Sequence, residues 1–318
     1  MIQEFLRNNY NLSASSIKQM TTGAGGSTYR FEANNKLYVL KLTDEDAINH
    51  PKIEPTVCEI LRNSGIRTLH FVKNTHHAYS TNFQNSVANV YEYISGRTVP
   101  YNSMDGHLVN ECASVLANIH TALEHITLPY GLSQDFFDFM TPERALSSYQ
   151  KSLAQANAEQ NPEIIRNIEA RIALLPYIST WHFDTSKLTY RNTHGDFTNN
   201  QIILNDAINI IDFTACCAQP AIWELTRFFF HADKSAKAGH LDKARYTNYL
   251  HAYTDRISLT AYDMDNIFKL YFYQLLVCDY YSQYFHGTDS IKKNDYLNQA
   301  NFASNILNAN RELIMLTR

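Results

Sequence analysis

The segment THGDFTNNQIILNDAINIIDF, residues 193–213, constrains this chain most, because it sets two carboxylates, adjacent amides and a histidine around one apolar hairpin. Gln201 to Leu204 and Ile208 to Asp212 are rich in Ile and read as short β-strands, joined by the turn formers Asn205 and Asp206. Such a hairpin folds Asp212 back toward Asp196, which lies sixteen residues earlier in a His-Gly-Asp turn. Asn200 and Gln201 follow Asp196 at four and five residues. A lone Asp in a turn is ordinarily only a turn former. The whole set suits phosphoryl transfer, in which one Asp meets the attacking hydroxyl while the other, with an amide oxygen, holds Mg²⁺ against nucleotide phosphates.

The first third of the chain supplies what such a site needs at the phosphates. Residues 17–41 read as a glycine-rich hairpin: Tyr29 and Phe31, then Leu37 and Val39, alternate on either side of an Asn34-Asn35 turn. Gly23, Gly25 and Gly26 would let backbone N–H groups approach phosphate oxygens, and Ser27 and Thr28 add hydroxyl donors. The pattern matches neither the dinucleotide fingerprint nor the Walker loop, and glycine-rich turns are often just tight turns. Lys41 ends the strand YVLK eighteen residues after Gly23. Residues 53–64 read as a helix with Val57, Ile60 and Leu61 on one face and Gly65 as its stop.

These segments resemble the aminoglycoside phosphotransferase and choline kinase superfamily, small-molecule kinases with a protein-kinase-like fold. His194-Gly195-Asp196 stands where protein kinases carry His-Arg-Asp. The resemblance implies an α+β bilobal fold, with a small β-rich N-lobe over residues 1–95 and a larger, mainly helical C-lobe over residues 96–318. It implies ATP and Mg²⁺ as cofactors, with Asp196 catalytic and His194 orienting its loop. Lys41 would anchor the phosphates, paired with Glu54 or, as second choice, Glu59. Loop 23–28 would cover the nucleotide. The main chain of Glu92, Tyr93 and Ile94, in the apolar run VANVYEYISG, would receive adenine. The metal would fall to Asp212 with Gln201 or Asn200. The family usually has Asn five residues after the catalytic Asp, and Gln201 offers the same carbonyl on an arm one methylene longer, so both amides are candidates.

Farther along, residues 103–123 read as a helix containing His120, a structural histidine. A helical insertion over residues 131–190 has two starts, Thr141-Pro142-Glu143 and Asn161-Pro162-Glu163, and is a place for acceptor recognition or for plain packing. Residues 221–231 read as a buried helix in which Glu224 takes the place of an acid that steadies the catalytic loop in the family. The aromatic helices beyond it, with Tyr271, Phe272, Tyr273, Tyr280, Tyr281, Tyr284 and Phe285, are core by default, or else rings around a quaternary ammonium acceptor.

Composition narrows the partners. A net charge of −4 and no basic stripe argue against a nucleic-acid binder. No apolar run spans a membrane and the start MIQEFLRNNY lacks a signal-peptide layout, so no membrane partner is expected. Five cysteines without a CxxC pair read as core thiols in a cytoplasmic protein. The expected activity is ATP-dependent phosphorylation of a hydroxyl on a small-molecule metabolite: an amino alcohol such as choline or ethanolamine, homoserine, or a sugar or amino sugar. Ten acids against eleven bases from Gln219 to Arg318 form no acidic basin, which ranks an aminoglycoside-type antibiotic kinase lower. A nucleotide-binding pseudokinase scaffold is the alternative from another class, distinguished by absence of Mg²⁺-dependent turnover.

Overall fold

The computed structural model describes residues 1–20, 26–44, 52–100, 104–287 and 290–316. Helix α1 (Ile2–Tyr10) precedes strands β1 (Ser15–Gln19), β2 (Gly26–Ala33) and β3 (Lys36–Asp44), helix α2 (Glu54–Asn63), strands β4 (Ser80–Phe83), β5 (Ser86–Glu92) and β6 (Arg97–Thr98), and helix α3 (Gly106–Ala122). Helices α4 (Gln134–Phe139), α5 (Pro142–Ala158) and α6 (Pro162–Ile178) follow, then strands β7 (Tyr190–Thr193), β8 (Ile202–Leu204), β9 (Ile208–Ile210) and β10 (Cys217–Pro220). The remainder is helical: α7 (Ala221–Ala232), α8 (Lys234–Lys237), α9 (Lys243–Thr254), α10 (Ala261–Asn266), α11 (Lys269–Val277), α12 (Tyr280–His286), α13 (Ser290–Ala309) and α14 (Arg311–Leu316). The class is α+β, with strands concentrated in the first hundred residues and helices in the C-terminal part.

The chain divides into two compact units, each discontinuous in sequence. One comprises Met1–Pro100, Asn118–Pro129 and Asn192–Cys217; the other comprises Tyr101–Ala117, Tyr130–Arg191 and Ala218–Arg318.

The first unit is built on an antiparallel sheet of order β1-β2-β3-β5-β4. Asn34 and Asn35 both adopt positive φ, 51° and 59°, which closes β2 onto β3 by the tight turn that suits the strand twist. Because side chains alternate across a strand, Leu40 and Leu42 of β3 enter a core with Leu6 and Tyr10 of α1, Phe31 and Val90. Lys41 therefore points to the opposite face. On α2, Glu54, Val57, Cys58 and Leu61 form the buried stripe, and Gly65, at φ 80°, ends the helix as expected.

The β8–β9 hairpin forms as predicted but is shorter at both ends. Its turn is held by Asn205, whose Oδ1 accepts from Ala207 N at 3.1 Å and Asn209 Nδ2 at 3.0 Å. Gln201 is drawn into a 3₁₀ turn (Asn199–Gln201), and Asp212 leaves the β region for φ 66°, ψ 62°. The strand expected over 87–96 stops at Glu92. Gly96 then lies so close to the hairpin that an added Cβ would sit 2.6 Å from Leu204 O.

In the second unit the two predicted helix starts are capped by Thr141 and Asn161, whose side chains accept from Arg144 N and Ile164 N. Ile164, Ile168 and Leu175 are buried on α6, and the same face carries an unanticipated Arg171 at 1% exposure. Its guanidinium donates to Tyr149 Oη at 2.9 Å, Ser304 Oγ at 3.1 Å, and the carbonyls of Leu275 and Ala300 at 3.0 Å. Tyr271, Phe272 and Tyr273 are buried in the helical core, and the Tyr281 ring faces Arg171 at 5.6 Å. Four of the seven rings of the aromatic stripe are thus core, whereas Tyr280, Tyr284 and Phe285 are half-buried.

Candidate active site

Every described residue of the predicted catalytic, lysine and metal set falls within the first unit. The β3 register places Lys41 opposite Thr28 on one side and Asn89 on the other. Its Nζ donates to Asp212 Oδ1 at 2.7 Å and reaches Glu54 Oε2 at 3.5 Å. Glu54, with no exposed surface, also accepts from Phe213 N at 3.0 Å through its other oxygen. One buried carboxylate therefore ties the β3 lysine to the peptide that follows Asp212. Of the two candidate partners, Glu54 meets Lys41, whereas Glu59 is exposed and is hydrogen-bonded to Tyr79.

Asp212 is held from three directions. Thr214 Oγ1 donates to its Oδ1 at 2.7 Å, beside Lys41. The preceding residue, Ile211, is fixed at both backbone groups: its N–H donates to Gln201 O at 2.9 Å, and its carbonyl accepts from His194 Nε2 at 2.9 Å. Asp is among the few non-glycine residues that tolerate the left-handed region, and these bonds offset the conformational cost there.

His194 joins this loop to the other aspartate. Asp196 N donates to His194 Nδ1 at 3.2 Å, so Nδ1 is the acceptor and Nε2 carries the proton given to Ile211 O. The imidazole has no exposed surface and lies 4.5 Å from the Phe213 ring centroid. Gly195 permits the turn: at φ 82°, an added Cβ would stand 1.9 Å from Ala215 O. Asp196 Oδ2 accepts from Gln201 Nε2 at 3.1 Å. Gln201 thus touches both loops, with its side chain on Asp196 and its carbonyl on Ile211. Asn200 is exposed, and its neighbour Asn199 is wholly buried with Nδ2 directed at Pro100 O, 3.4 Å away.

The electrostatics follow from burial and pairing. Burial alone would lower the Lys41 pKa, but Glu54 and Asp212 outweigh it and raise it, so the ammonium stays charged. Burial pushes Glu54 up, against the opposing pull of Lys41. For Asp212 burial acts upward too, yet Lys41 and the Thr214 hydrogen bond bring the net shift below the usual carboxylate range. An anionic Asp212 whose side chain is 40% exposed, with Oδ2 outside these bonds, is a hard oxygen donor suited to Mg²⁺. No cluster of three His, Cys, Asp or Glu side chains able to hold a metal occurs among the described residues. A magnesium site here needs amide, water and phosphate oxygens as well.

The remaining predicted positions are more scattered in kind. Gly23 and Gly25 lie outside the described residues. Gly26 opens β2, where an added Cβ would overlap Leu42 O at 1.8 Å. Thr28 pairs with Lys41 and shares its face of the sheet; Ser27 pairs with Leu42 and is on the other. The N–H groups of Glu92 and Tyr93 are committed to His70 O at 3.0 Å and Leu37 O at 2.9 Å. Thr214, Phe213 N and the Ile211 peptide escaped sequence reading, since two of the three act through backbone atoms that any residue carries. A Thr two residues after Asp212 was the one visible signal.

Residues 16–259 match the sequence profile of the phosphotransferase enzyme family. By sequence alone, no curated protein matches the chain. Among solved structures, a spectinomycin phosphotransferase in complex with ADP and spectinomycin superposes with a TM-score of 0.72 at 16% identity, covering 99% of this chain and 98% of that one. An amicoumacin kinase in complex with AMP-PNP and Ca²⁺ gives 0.65 at 13% identity, covering 96% and 92%. A microcompartment-associated aminopropanol kinase gives 0.63 at 15% identity, covering 99% and 98%. At such identities the likeness is one of fold, and it is the protein-kinase-like α+β fold that the sequence implied.

Proposed function

This chain belongs to the phosphotransferase enzyme family, a family of small-molecule kinases, and from that premise we propose that it moves the γ-phosphoryl group of ATP onto a hydroxyl of a small metabolite. The observation that carries this reading is the linkage of Lys41, Glu54, Asp212, His194 and Asp196 within one unit, by hydrogen bonds that run through Asp212 itself and through the Ile211 and Phe213 backbone on either side of it. Phosphoryl transfer asks mainly for positioning and charge stabilisation, and such a network holds its members at fixed relative positions.

In this account the acceptor oxygen attacks the γ-phosphorus as the bond to the β,γ-bridging oxygen breaks, and ADP leaves. Asp196 orients the hydroxyl and accepts its proton late, because a carboxylate is too weak a base to ionise an alcohol beforehand. Gln201 donates to Oδ2 of Asp196 and so restricts how that carboxylate turns toward the acceptor. Lys41 balances charge at the phosphates, and Glu54 sets where its ammonium stands. Magnesium, when bound, would neutralise phosphate charge, with Asp212 and either Gln201 or Asn200 as its protein ligands. Main-chain groups at Glu92–Ile94 receive adenine, with the Glu92 and Tyr93 N–H groups excluded by their existing bonds. The lobes divide near residue 95.

The acceptor class is a small polar alcohol: an amino alcohol, homoserine, or a sugar or amino sugar. The related folds include enzymes named for spectinomycin, amicoumacin and aminopropanol, which do not choose between this class and an antibiotic acceptor. Among the described residues no helix is long and apolar enough to cross a membrane, and a cytoplasmic location suits both the ATP supply and five free cysteines. A coupled ADP-release screen over these acceptor classes, with Mg²⁺ present and absent, tests the reading. Mg²⁺-dependent release with one class supports it, and ATP binding without turnover in any arm favours the scaffold instead.

A further inference from the structure

A concavity of about 210 Å³ lies on the first unit, apart from the residues assigned to catalysis. One wall is a face of α2 that carries Pro55, Glu59, Arg62 and Asn63 at helical spacing, turned away from the buried Glu54, Val57, Cys58 and Leu61 stripe. The other wall is the extended segment through Leu69, His70 and Phe71. Pro55, Leu69 and Phe71 are buried and form an apolar floor, while the rim is polar and exposed.

The rim favours an anion. Glu59, its one acid, is engaged by the Tyr79 hydroxyl, and burial together with that bond pushes the phenol up to about 12. Arg62, among the described residues, makes a single long hydrogen bond to Thr68 O at 3.5 Å, which leaves most of its guanidinium donors available. Donors thus outnumber acceptors above an apolar base, which is the complement of a compact carboxylate on a hydrocarbon or aromatic body.

Both walls run into the candidate active site. Helix α2 begins with Glu54, the partner of Lys41. The other wall accepts from Ile210 N at Arg67 O, 3.0 Å, one residue before the Ile211 clamp, and from Glu92 N at His70 O, 3.0 Å. Phe71 pairs with Tyr91 across the same strand, ring centroids 5.3 Å apart. A ligand that fixes these walls restricts Glu54, the strand leading to Asp212 and the proposed adenine segment together.

We propose that this bowl is a second ligand site, for a small carboxylate with an apolar body, and that its occupancy is coupled to nucleotide binding through α2. The coupling rests on the nucleotide reading above, whereas the site itself does not. Benzoate is a suitable probe, titrated into the full chain by NMR, with AMP-PNP affinity measured in Mg²⁺ with and without it. The expected result is saturable shifts at the Arg62 Nε–H and at the Leu69–Phe71 amides, in the millimolar range. Arg62→Ala should weaken them about tenfold or more, and Asn63→Trp, a rim substitution that fills the bowl, should remove them. Benzoate should also change AMP-PNP affinity by about fivefold, with the reciprocal effect on its own binding. Absence of shifts, shifts undiminished in Arg62→Ala, or shifts given by ethylammonium and not by benzoate would each overturn the site. Benzoate binding with unchanged AMP-PNP affinity overturns the coupling alone. Benzoate binding without any AMP-PNP binding upholds the bowl and sinks the nucleotide reading.

Discussion

Lys41 Nζ stands 2.7 Å from Asp212 Oδ1 although 171 residues separate the two in sequence. The pair is closed from behind by Glu54, which has no exposure and touches both Lys41 and Phe213 N. A buried carboxylate with one cationic partner is sensitive to the loss of that partner.

Lys41→Met should therefore destabilise the fold at neutral pH by about 3 kcal/mol, because it leaves the buried Glu54 without its cationic partner. The sign with pH follows from the raised Glu54 value. A carboxylate whose folded-state pKa exceeds its unfolded one costs stability as pH rises through the folded value, and removing Lys41 raises it further. The deficit of Lys41→Met should accordingly shrink as pH falls toward the ordinary carboxylate range, and Glu54→Gln in the same background should remove most of its pH dependence, leaving the smaller part due to Asp212. Urea unfolding of the variants across pH is the measurement, and a deficit that grows on acidification contradicts the account.

Asp212 moves the opposite way. Its folded-state value is depressed, so its contribution is present above the usual carboxylate pKa and is lost as pH drops below it. With 40% of the side chain exposed, solvent screening keeps that contribution small. Thr214→Val, which removes the hydroxyl on Oδ1, should cost about 0.5–1.5 kcal/mol and raise the half-saturating Mg²⁺ concentration. Unchanged metal dependence would separate Thr214 from the site.

Gly195→Ala should lose activity through shape rather than charge. The new Cβ would meet backbone, Ala215 O at 1.9 Å, at a φ that alanine rarely adopts, so the His-Gly-Asp turn must shift. A stability loss of at least about 1–3 kcal/mol is expected from thermal unfolding, together with a fall in kcat. Wild-type stability in Gly195→Ala would show that the turn is softer than its geometry states.

The Gln201 side-chain amide reaches Asp196 Oδ2 at 3.1 Å. Gln201→Leu removes that bond and should lower kcat by about tenfold with KM for ATP nearly unchanged. Gln201→Asn, one methylene shorter, should fall between the two. If Asn200→Ala rather than Gln201→Leu shifts the Mg²⁺ requirement, the metal belongs to the exposed amide.

Much of this was legible in the sequence where local rules decide structure. The paired Asn34-Asn35 turn, the capped starts at Thr141 and Asn161, and the stop at Gly65 each came out as the residues dictate. Glu54 was recognisable by resemblance, and the structure gives its reason: it opens α2 on the buried face, while Glu59 lies a turn later on the exposed one. Tertiary bonds overrode local preference at the hairpin ends, where Gln201 and Asp212 leave the strand pattern because the clamp on Ile211 holds both flanks. Arg171 was invisible among isoleucines, since burying a guanidinium depends on five acceptors contributed by other segments.

The central claim is that this network performs phosphoryl transfer with Asp196 at the acceptor. The direct test is ³¹P NMR of the protein with ATP, Mg²⁺ and a pooled set of amino alcohols, homoserine and amino sugars, beside the same mixture with Asp196→Asn. A phosphomonoester resonance should grow together with ADP in the first sample, and should be slowed by about 10²–10⁴-fold in the second while ATP binding persists. Ester formation at an equal rate in Asp196→Asn, or intact ATP and no ester from the wild-type protein, would contradict it.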